Sequence, residues 1–385
     1  MNIALCAIAK QENRYLPEFC DYYRNLGFDK IFLYDNNDVD GERFEASIGE
    51  YIDCGFVETI DCRGKKAAQM SSYNHCYEKH GAEYDWIAFF DIDEFLTFSP
   101  ESGLSSIKDF LSRPEYATSS VVCVNWMCFG DNGKLHYEAK PVTERFPKPL
   151  PFDSCAAYNF PNNCHVKSIL RGGGRRLEFR GHPHCPFAKD GEPFSACDTQ
   201  GRPHGEGVPF QPYSFSVAYL RHYLTKTAEE FADNVRRGYA PHEVDELFMQ
   251  CQIETKFFTA NKKEPCRLAI LSELIPWFKT DFDEPRLVFK LYGERAEFAA
   301  RCDRIAREKS ELIARCDRIA REKSELIARC DRITREKSEL EAMCRQSEIE
   351  KMALENSTCW KLTKPIRLVL DTLKRWCRRN DGGCV

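Results

Sequence analysis

The sequence predicts an α/β protein built on a doubly wound, mostly parallel sheet. Three observations predict it. Short apolar runs alternate with helical patterns through the first hundred residues. The helical patterns stop at glycines or in polar turns. The first, second and fourth apolar runs lead into polar or acidic residues, as strands do where an open sheet carries its ligand crevice.

The elements follow in order. Ile3–Ala9 reads as a buried strand and leads into Lys10-Gln11-Glu12-Asn13. Glu12–Leu26 carries helical spacing through Leu16, Phe19, Tyr23 and Leu26, and stops at Gly27. Lys30–Tyr34 is a second strand, ending in Asp35-Asn36-Asn37-Asp38. Phe44–Tyr51 is a short helix, Val57–Ile60 a third strand, and Lys66–His80 a helix capped by Gly81. Asp85–Phe90 is a fourth strand, which runs into Asp91-Ile92-Asp93-Glu94. The middle of the chain, 97–225, is rich in Pro, Gly and aromatic residues; Val121–Trp126, Cys164–Leu170 and Arg176–Phe179 read as strands. Arg171-Gly-Gly-Gly-Arg175 reads as a hairpin turn between the last two. Thr227–Gly238 and Asp245–Phe258 read as closing helices.

From Ala300 a 14-residue unit, ARCDRIAREKSELI, occurs twice, then a third time with two changes. Fourteen residues are two heptads. Ile305, Leu312, Ile319, Leu326, Ile333 and Leu340 form one apolar row, and cysteines and lysines alternate along the second. This pattern predicts a coiled coil, and hence a homo-oligomer, with the polar second row limiting its order. A basic segment bearing Trp360 and Trp376 follows, with the character of an amphipathic helix suited to an anionic membrane surface or to packing on its own oligomer. The expected organisation is a catalytic region over 1–290, a coiled-coil helix over 297–355 and a short amphipathic tail over 356–385.

Bulk composition narrows the function classes. A net charge of −5 gives no basic field for nucleic acid. The apolar runs are too short to span a bilayer, and the first residues read as a strand without an export signal, so a cytoplasmic protein is expected. Twenty cysteines without any C-x-x-C then read as reduced thiols, most of them small core residues.

The chemistry concentrates at Asp91 and Asp93. Spaced i, i+2 at the end of an apolar strand, they point the same way if the strand stays regular. Two like charges so placed call for a cation, and hard carboxylate oxygens suit Mn²⁺ or Mg²⁺. In a doubly wound sheet the acids after the first, second and fourth strands share one crevice, where Asp35 is placed to accept from a base or ribose. An ordinary Asx turn explains Asp35-Asn36-Asn37 equally.

The stretch ALCAIAKQENRYLPEFCDYYRNLGFDKIFLYDNN, then WIAFFDIDEFL, resembles GT-A glycosyltransferases of the family 2-like and family 92 kind. Trp126 with Phe129-Gly130, Glu144-Arg145-Phe146, His165-Val-Lys167-Ser168-Ile169, His222-Tyr223-Leu-Thr225-Lys226, Glu229-Glu230-Phe231 and Arg237-Gly238 extend the resemblance to about residue 240. It implies a nucleotide-sugar donor, usually a UDP-sugar, with a divalent metal on Asp91 and Asp93 completed by a histidine, for which His184 is favoured over His182. It implies donor contacts from Ala7, Lys10, Glu12, Asp35, Asn36, Gln69, Asn74 and Asp91. Glu94, Glu144 and Asp131 are the candidate catalytic bases and Trp126 the candidate acceptor platform. The heptads followed by Ser357–Arg367 resemble the C-termini of bacterial surface-polysaccharide transferases, implying a bacterial source, a glycan acceptor and work at the inner face of the membrane. Two other readings stand beside this one: a nucleotidyltransferase or another nucleotide-sugar enzyme, which needs a basic residue against a pyrophosphate leaving group that the sequence does not single out, and a coiled-coil scaffold carrying a degenerate transferase region.

Overall fold

The computed structural model describes residues 1–151, 162–191, 193–238, 249–250, 253–280, 322–323, 325–326, 329–357 and 361–380. Two compact units emerge, Met1–Val288 and Phe289–Val385.

In the first unit, strand β1 (Ile3–Ala9) lies at the centre, flanked in parallel by β2 (Lys30–Asp35) and β4 (Trp86–Phe89). Strand β3 (Val57–Asp61) continues the parallel set beyond β2. The register Ala9↔Asp35↔Asp61 aligns the ends of β1, β2 and β3 at one edge. Beyond β4 the sheet turns mixed: β7 (Val166–Arg171) is antiparallel to both β4 and β6 (Val121–Cys128). A second branch pairs β12 (Ala218–His222) with β6 in parallel and with β5 (Glu94–Phe98) antiparallel. At the far edge β10 (Ala196–Asp198) runs parallel to β6, and β11 (Pro203–His204) antiparallel to β10. A small hairpin of β8 (Leu177–Glu178) and β9 (Phe187–Ala188) stands apart.

Both sheet faces are covered, as a doubly wound sheet requires. Helix α1 (Leu16–Asn25) buries Leu16, Phe19, Cys20 and Tyr23, one face at i, i+3, i+4 and i+7, in the core that also holds Ile48 of α2 (Glu45–Asp53) and Phe110 of α4 (Ile107–Leu111). Each such side chain contributes about 1.5–3 kcal/mol by leaving water. Helix α3 (Gln69–His80) packs Tyr73, Cys76 and Tyr77 into the opposite core with Phe32, Ile87 and Phe89. Short α5 (Val142–Arg145) leads toward the closing elements: α6 (Ala228–Arg237) and α7 (Pro265–Leu274) share a third core with Ile253 and Phe257. Thr227 and Glu230 form a reciprocal capping box at the start of α6, and Gly238 ends it with φ of 90°.

The expected hairpin at Arg171–Arg175 does not form. Strand β7 pairs with β4 and β6, and β8 pairs with β9. The glycines instead bring backbone against backbone: Gly172 N–H donates to Asp85 O at 2.9 Å and Gly173 N–H to Gly81 O at 2.9 Å. A Cβ on Gly172 would meet the Tyr84 carbonyl oxygen at 1.9 Å.

In the second unit, residues 329–356 form a helix, and Ile333 and Leu340 of the apolar row are exposed on it. Residues 297–321 of the expected coiled coil lie outside the described residues, as do 245–248 and 251–252 of the second closing helix. Helix α8 (Lys364–Asn380) lies in the expected tail. Among the described residues no helix is long and apolar enough to cross a membrane.

Candidate active site

Strand β4 ends at Phe89, and residues 91–93 turn before β5 begins at Glu94. Because the strand does not stay regular, Asp91 and Asp93 acquire different partners. Asp91 Oδ1 accepts from Gln69 Nε2 at 2.7 Å and Tyr73 Oη at 2.9 Å, both from α3. Its Oδ2 lies 2.9 Å from Lys167 Nζ on β7. Asp93 Oδ2 lies 3.7 Å from His222 Nε2, and the Asp93 side chain is 24% exposed.

Two pairings explain that geometry. Strands β5 and β12 place His222 opposite Glu94, and Tyr223 N–H donates to Asp93 O at 3.0 Å. From α1, Tyr23 Oη donates to Glu94 O at 2.7 Å and receives Leu96 N–H at 3.2 Å, which holds the start of β5.

The electrostatics separate the acids. Burial alone would raise Asp93, but His222, Lys226 and Arg237 outweigh it and hold the carboxyl well below its usual range. Burial pushes Glu94 well up, and the Asp91 and Asp93 charges add to that against Lys167. Burial alone would lower Lys167, but Asp91 and Glu94 outweigh it and raise the ammonium.

Glu94 does not face an acceptor. It is fully buried, its Oε2 accepts Asp91 N–H at 2.9 Å, and its Oε1 is buried without a hydrogen bond. Asp131 is not free to act as a base either: it is 2% exposed and both oxygens pair with Arg267, at 2.5 and 3.1 Å. Glu144 is exposed on α5; the buried member of its motif is Arg145, whose two terminal nitrogens each donate to Glu230 at 2.8 Å.

The histidines gather around Trp126 on β6. His165 stacks at 5.1 Å with the planes 20° apart, His222 lies at 4.2 Å and His184 at 5.3 Å edge-on. These imidazoles occupy the indole surroundings, so Trp126 is a wall of the site and not an open sugar platform. His184 Nδ1 donates to Val166 O at 2.9 Å, leaving Nε2 as the lone-pair atom. Burial, then Lys167, lowers its pKa well below the usual value, so its ring is neutral. His182 Nε2 donates to Gly207 O at 2.9 Å. Among the described residues, His222 is the histidine that lies against a carboxylate of the Asp-x-Asp pair, where the resemblance favoured His184.

The residues expected to hold a nucleoside divide. Ala7 is fully buried inside β1. Asp35 forms an Asx turn with Asn37 and pairs with Arg63 Nε at 2.8 Å. Asn36 Nδ2 donates to Cys62 O and Lys65 O, and Asn74 clasps the Phe179 backbone at 2.7 and 3.0 Å. Lys10 pairs with Asp38 at 2.9 Å. Asp35, Asn36 and Asn74 therefore tie loops to the sheet edge.

Glu12 lies elsewhere, in the wall of an open cavity of about 710 Å³ between the loops after β1 and β2 and helix α6. That volume is in the range of small-molecule sites. Arg237 reaches both Glu12 and the Lys10 carbonyl. Lys226, 8% exposed with φ of 52°, sits 4.4 Å from the Tyr15 ring centre and has no ion pair among the described residues. Lys226, Arg237 and Lys167 were not anticipated as site residues from sequence, although all three stand inside motifs that carry the resemblance.

Residues 3–171 match the model of glycosyltransferase family 92. A glycosyltransferase family 92 protein of Ricinus communis is 27% identical over 143 residues, 37% of this chain and 25% of that protein. One from Oryza sativa is 25% identical over 143 residues, 37% of this chain and 24% of its own length. These matches span about a quarter of the relatives' length, and both relatives are plant proteins, where the C-terminal resemblance implied a bacterial source. Among solved structures, Staphylococcus aureus TarS 1–349 in complex with UDP-GlcNAc is similar at 11% identity and a TM-score of 0.30, over 73% of this chain and 74% of that one. The galactosyltransferase LgtC in complex with donor and acceptor sugar analogues is similar at 11% identity and a TM-score of 0.20, over 32% and 46%. Neither structural likeness is close enough to carry an argument. The similarity to glycosyltransferase family 92 thus lies in residues 3–171, the part of the chain that holds β1 to β7 and the Asp91–Asp93 pair.

Proposed function

We propose that this chain moves a sugar from a nucleotide-sugar donor, a UDP-sugar in the first instance, to a glycan acceptor of a cell-surface polysaccharide. The observation that carries the reading is the Asp93–His222 pair, an oxygen and a nitrogen donor 3.7 Å apart, with Lys226 and Arg237 close enough to act on Asp93. That donor set fits Mn²⁺ or Mg²⁺ better than the Asp91 carboxylate, whose oxygens are already held by Gln69, Tyr73 and Lys167. A divalent ion there would supply positive charge against the leaving diphosphate.

The rest falls to the chain's own residues. Lys226 and Arg237 present cationic charge at the cavity where a diphosphate leaves, so charge developing on it is met without reorganisation. Lys167, Gln69 and Tyr73 fix Asp91, and Glu94 holds the Asp91 amide, which keeps the 91–93 turn in one geometry. The heptads are read as assembling the chain with copies of itself, and the basic tail as holding it peripherally at the inner face of a membrane.

Incubation of the protein with a panel of UDP-sugars and Mn²⁺ is expected to release UDP. Absence of both turnover and metal-dependent UDP binding would sink the enzymatic reading, and pyrophosphate release would turn it to nucleotidyl transfer. Asp93→Asn is expected to weaken Mn²⁺-dependent UDP binding and turnover by on the order of 100-fold or more. Undiminished turnover in that variant would remove the metal role.

A further inference from the structure

On the far side of the sheet, three segments distant in sequence bring sulfur and nitrogen ligands together. Cys123 of β6, Cys185 of the β8–β9 hairpin loop and His204 of β11 place one ligand atom each within 4.8 Å of one another. Both cysteines are fully buried and His204 is half-buried. We propose that Cys123, Cys185 and His204 bind a structural zinc ion.

The His204 ring keeps one nitrogen available for this. Its Nε2 lies 2.8 Å from Val208 O, and a carbonyl only accepts, so Nε2 carries the proton and Nδ1 keeps the lone pair. A ligating histidine held through its other nitrogen by a carbonyl is the usual outer-shell arrangement of metal sites. The Cys185 thiol donates to the Pro186 and Gly205 carbonyls at 3.7 Å each, and it gives up that proton on binding the ion. Tetrahedral zinc with Zn–S of about 2.3 Å sets sulfur–sulfur edges of about 3.8 Å, so closure asks for a contraction of at most about 1 Å. Binding displaces two thiol protons, and two thiolates with Zn²⁺ and a neutral imidazole form an uncharged group, which an apolar core accepts at low cost.

The surrounding chain gives the ion a purpose. Between Gly172 and Phe210 the strands are two or three residues long. Among the described residues of that stretch, glycine aside, only Leu177, Phe179, Cys185, Pro186, Ala196 and Cys197 are buried and apolar. So little core rarely fixes a loop-rich segment unaided, and a metal that ties it to β6 supplies the missing constraint. The site is separate from Asp93 and His222, and its soft ligands exclude Mn²⁺ and Mg²⁺ as the natural occupant.

The full-length chain, purified without chelator and analysed by mass spectrometry for metals, is expected to carry one zinc per chain. Cys185→Ser and His204→Ala are expected to lose most of it and to melt several degrees lower. A chelator is expected to lower the melting temperature of the parent protein, with recovery on adding Zn²⁺ but not Mg²⁺. Should the variants fold poorly, Co²⁺ added to the chelated parent protein is expected to show the thiolate-to-cobalt charge-transfer band of a sulfur-ligated site. Parent protein without zinc and without that band overturns the proposal. Equal zinc in parent and variants overturns it too, as does a Cys123–Cys185 disulfide found by intact mass after alkylation.

Discussion

Glu230, which stands in one of the motifs that carry the family resemblance, belongs to structure. Its carboxylate receives both terminal nitrogens of Arg145, the Tyr15 hydroxyl at 2.8 Å and the Thr227 hydroxyl at 2.7 Å, and it is fully buried. One side chain thus ties the start of α1, the end of α5 and the cap of α6. Burial alone would raise its pKa, but Arg145 and Thr227 outweigh it and lower the group from 4.5 to about 2. A depressed carboxyl contributes stability above its unfolded pKa and loses it as the pH falls through the folded one. The stability gap between parent protein and Glu230→Gln is therefore expected to be about 3 kcal/mol near neutral pH. It is expected to close as the pH falls from 4.5 to about 2. Urea unfolding at a series of pH values measures it, and a gap independent of pH would separate Glu230 from the ion pair. The sequence motif around Glu144 and Arg145 was legible, but which of its residues matters depends on burial, and the exposed Glu144 leaves Arg145 as the functional half.

At the scale of elements, β1, α1, β2, α2, β3, α3 and β4 were readable because each has a clear period and a clear stop. Boundaries moved by one to four residues, outward at the ends of β2, α2 and β3 and inward for α1, α3 and β4: the helix expected over Glu12–Leu26 spans Leu16–Asn25, since Pro17 fits the first turn and the preceding residues turn away from β1. The glycine run after β7 was misread because a hairpin turn and a close backbone approach demand the same residue. Here Gly172 is required by the Tyr84 carbonyl, whereas a Cβ on Gly174 meets nothing within 4 Å and is opposed only by its φ of 81°. Gly172→Ala is expected to destabilise by about 1–3 kcal/mol through forced backbone shifts. Gly174→Ala is expected to cost less, about 1 kcal/mol for a strained φ. Urea midpoints of the two variants decide it, and an equal effect would return the run to an ordinary turn.

At the scale of the whole molecule, the two compact units divide between Val288 and Phe289, eleven residues before the repeat begins at Ala300. The apolar row of the heptads, exposed at Leu326, Ile333 and Leu340 in a single chain, is the surface that self-assembly would cover. Deleting residues 297–385 is expected to leave a folded monomer by light scattering, with UDP binding retained. A truncated protein that keeps the oligomeric state of the full chain would remove the coiled-coil assignment.

The sequence by itself determined the layered α/β character, the parallel core, the place of Asp91 and Asp93 after its fourth strand and the heptad repeat. These are local properties: periodicity, caps and short motifs act over a turn or a strand. Only the tertiary structure decided that Asp93 meets His222, that Asp91 is committed to Lys167, and that Lys226 and Arg237 face the cavity. It also brought Cys123, Cys185 and His204 together, although no short cysteine spacing announced them. Partners separated by tens of residues are chosen by strand order and register, and no local pattern encodes either.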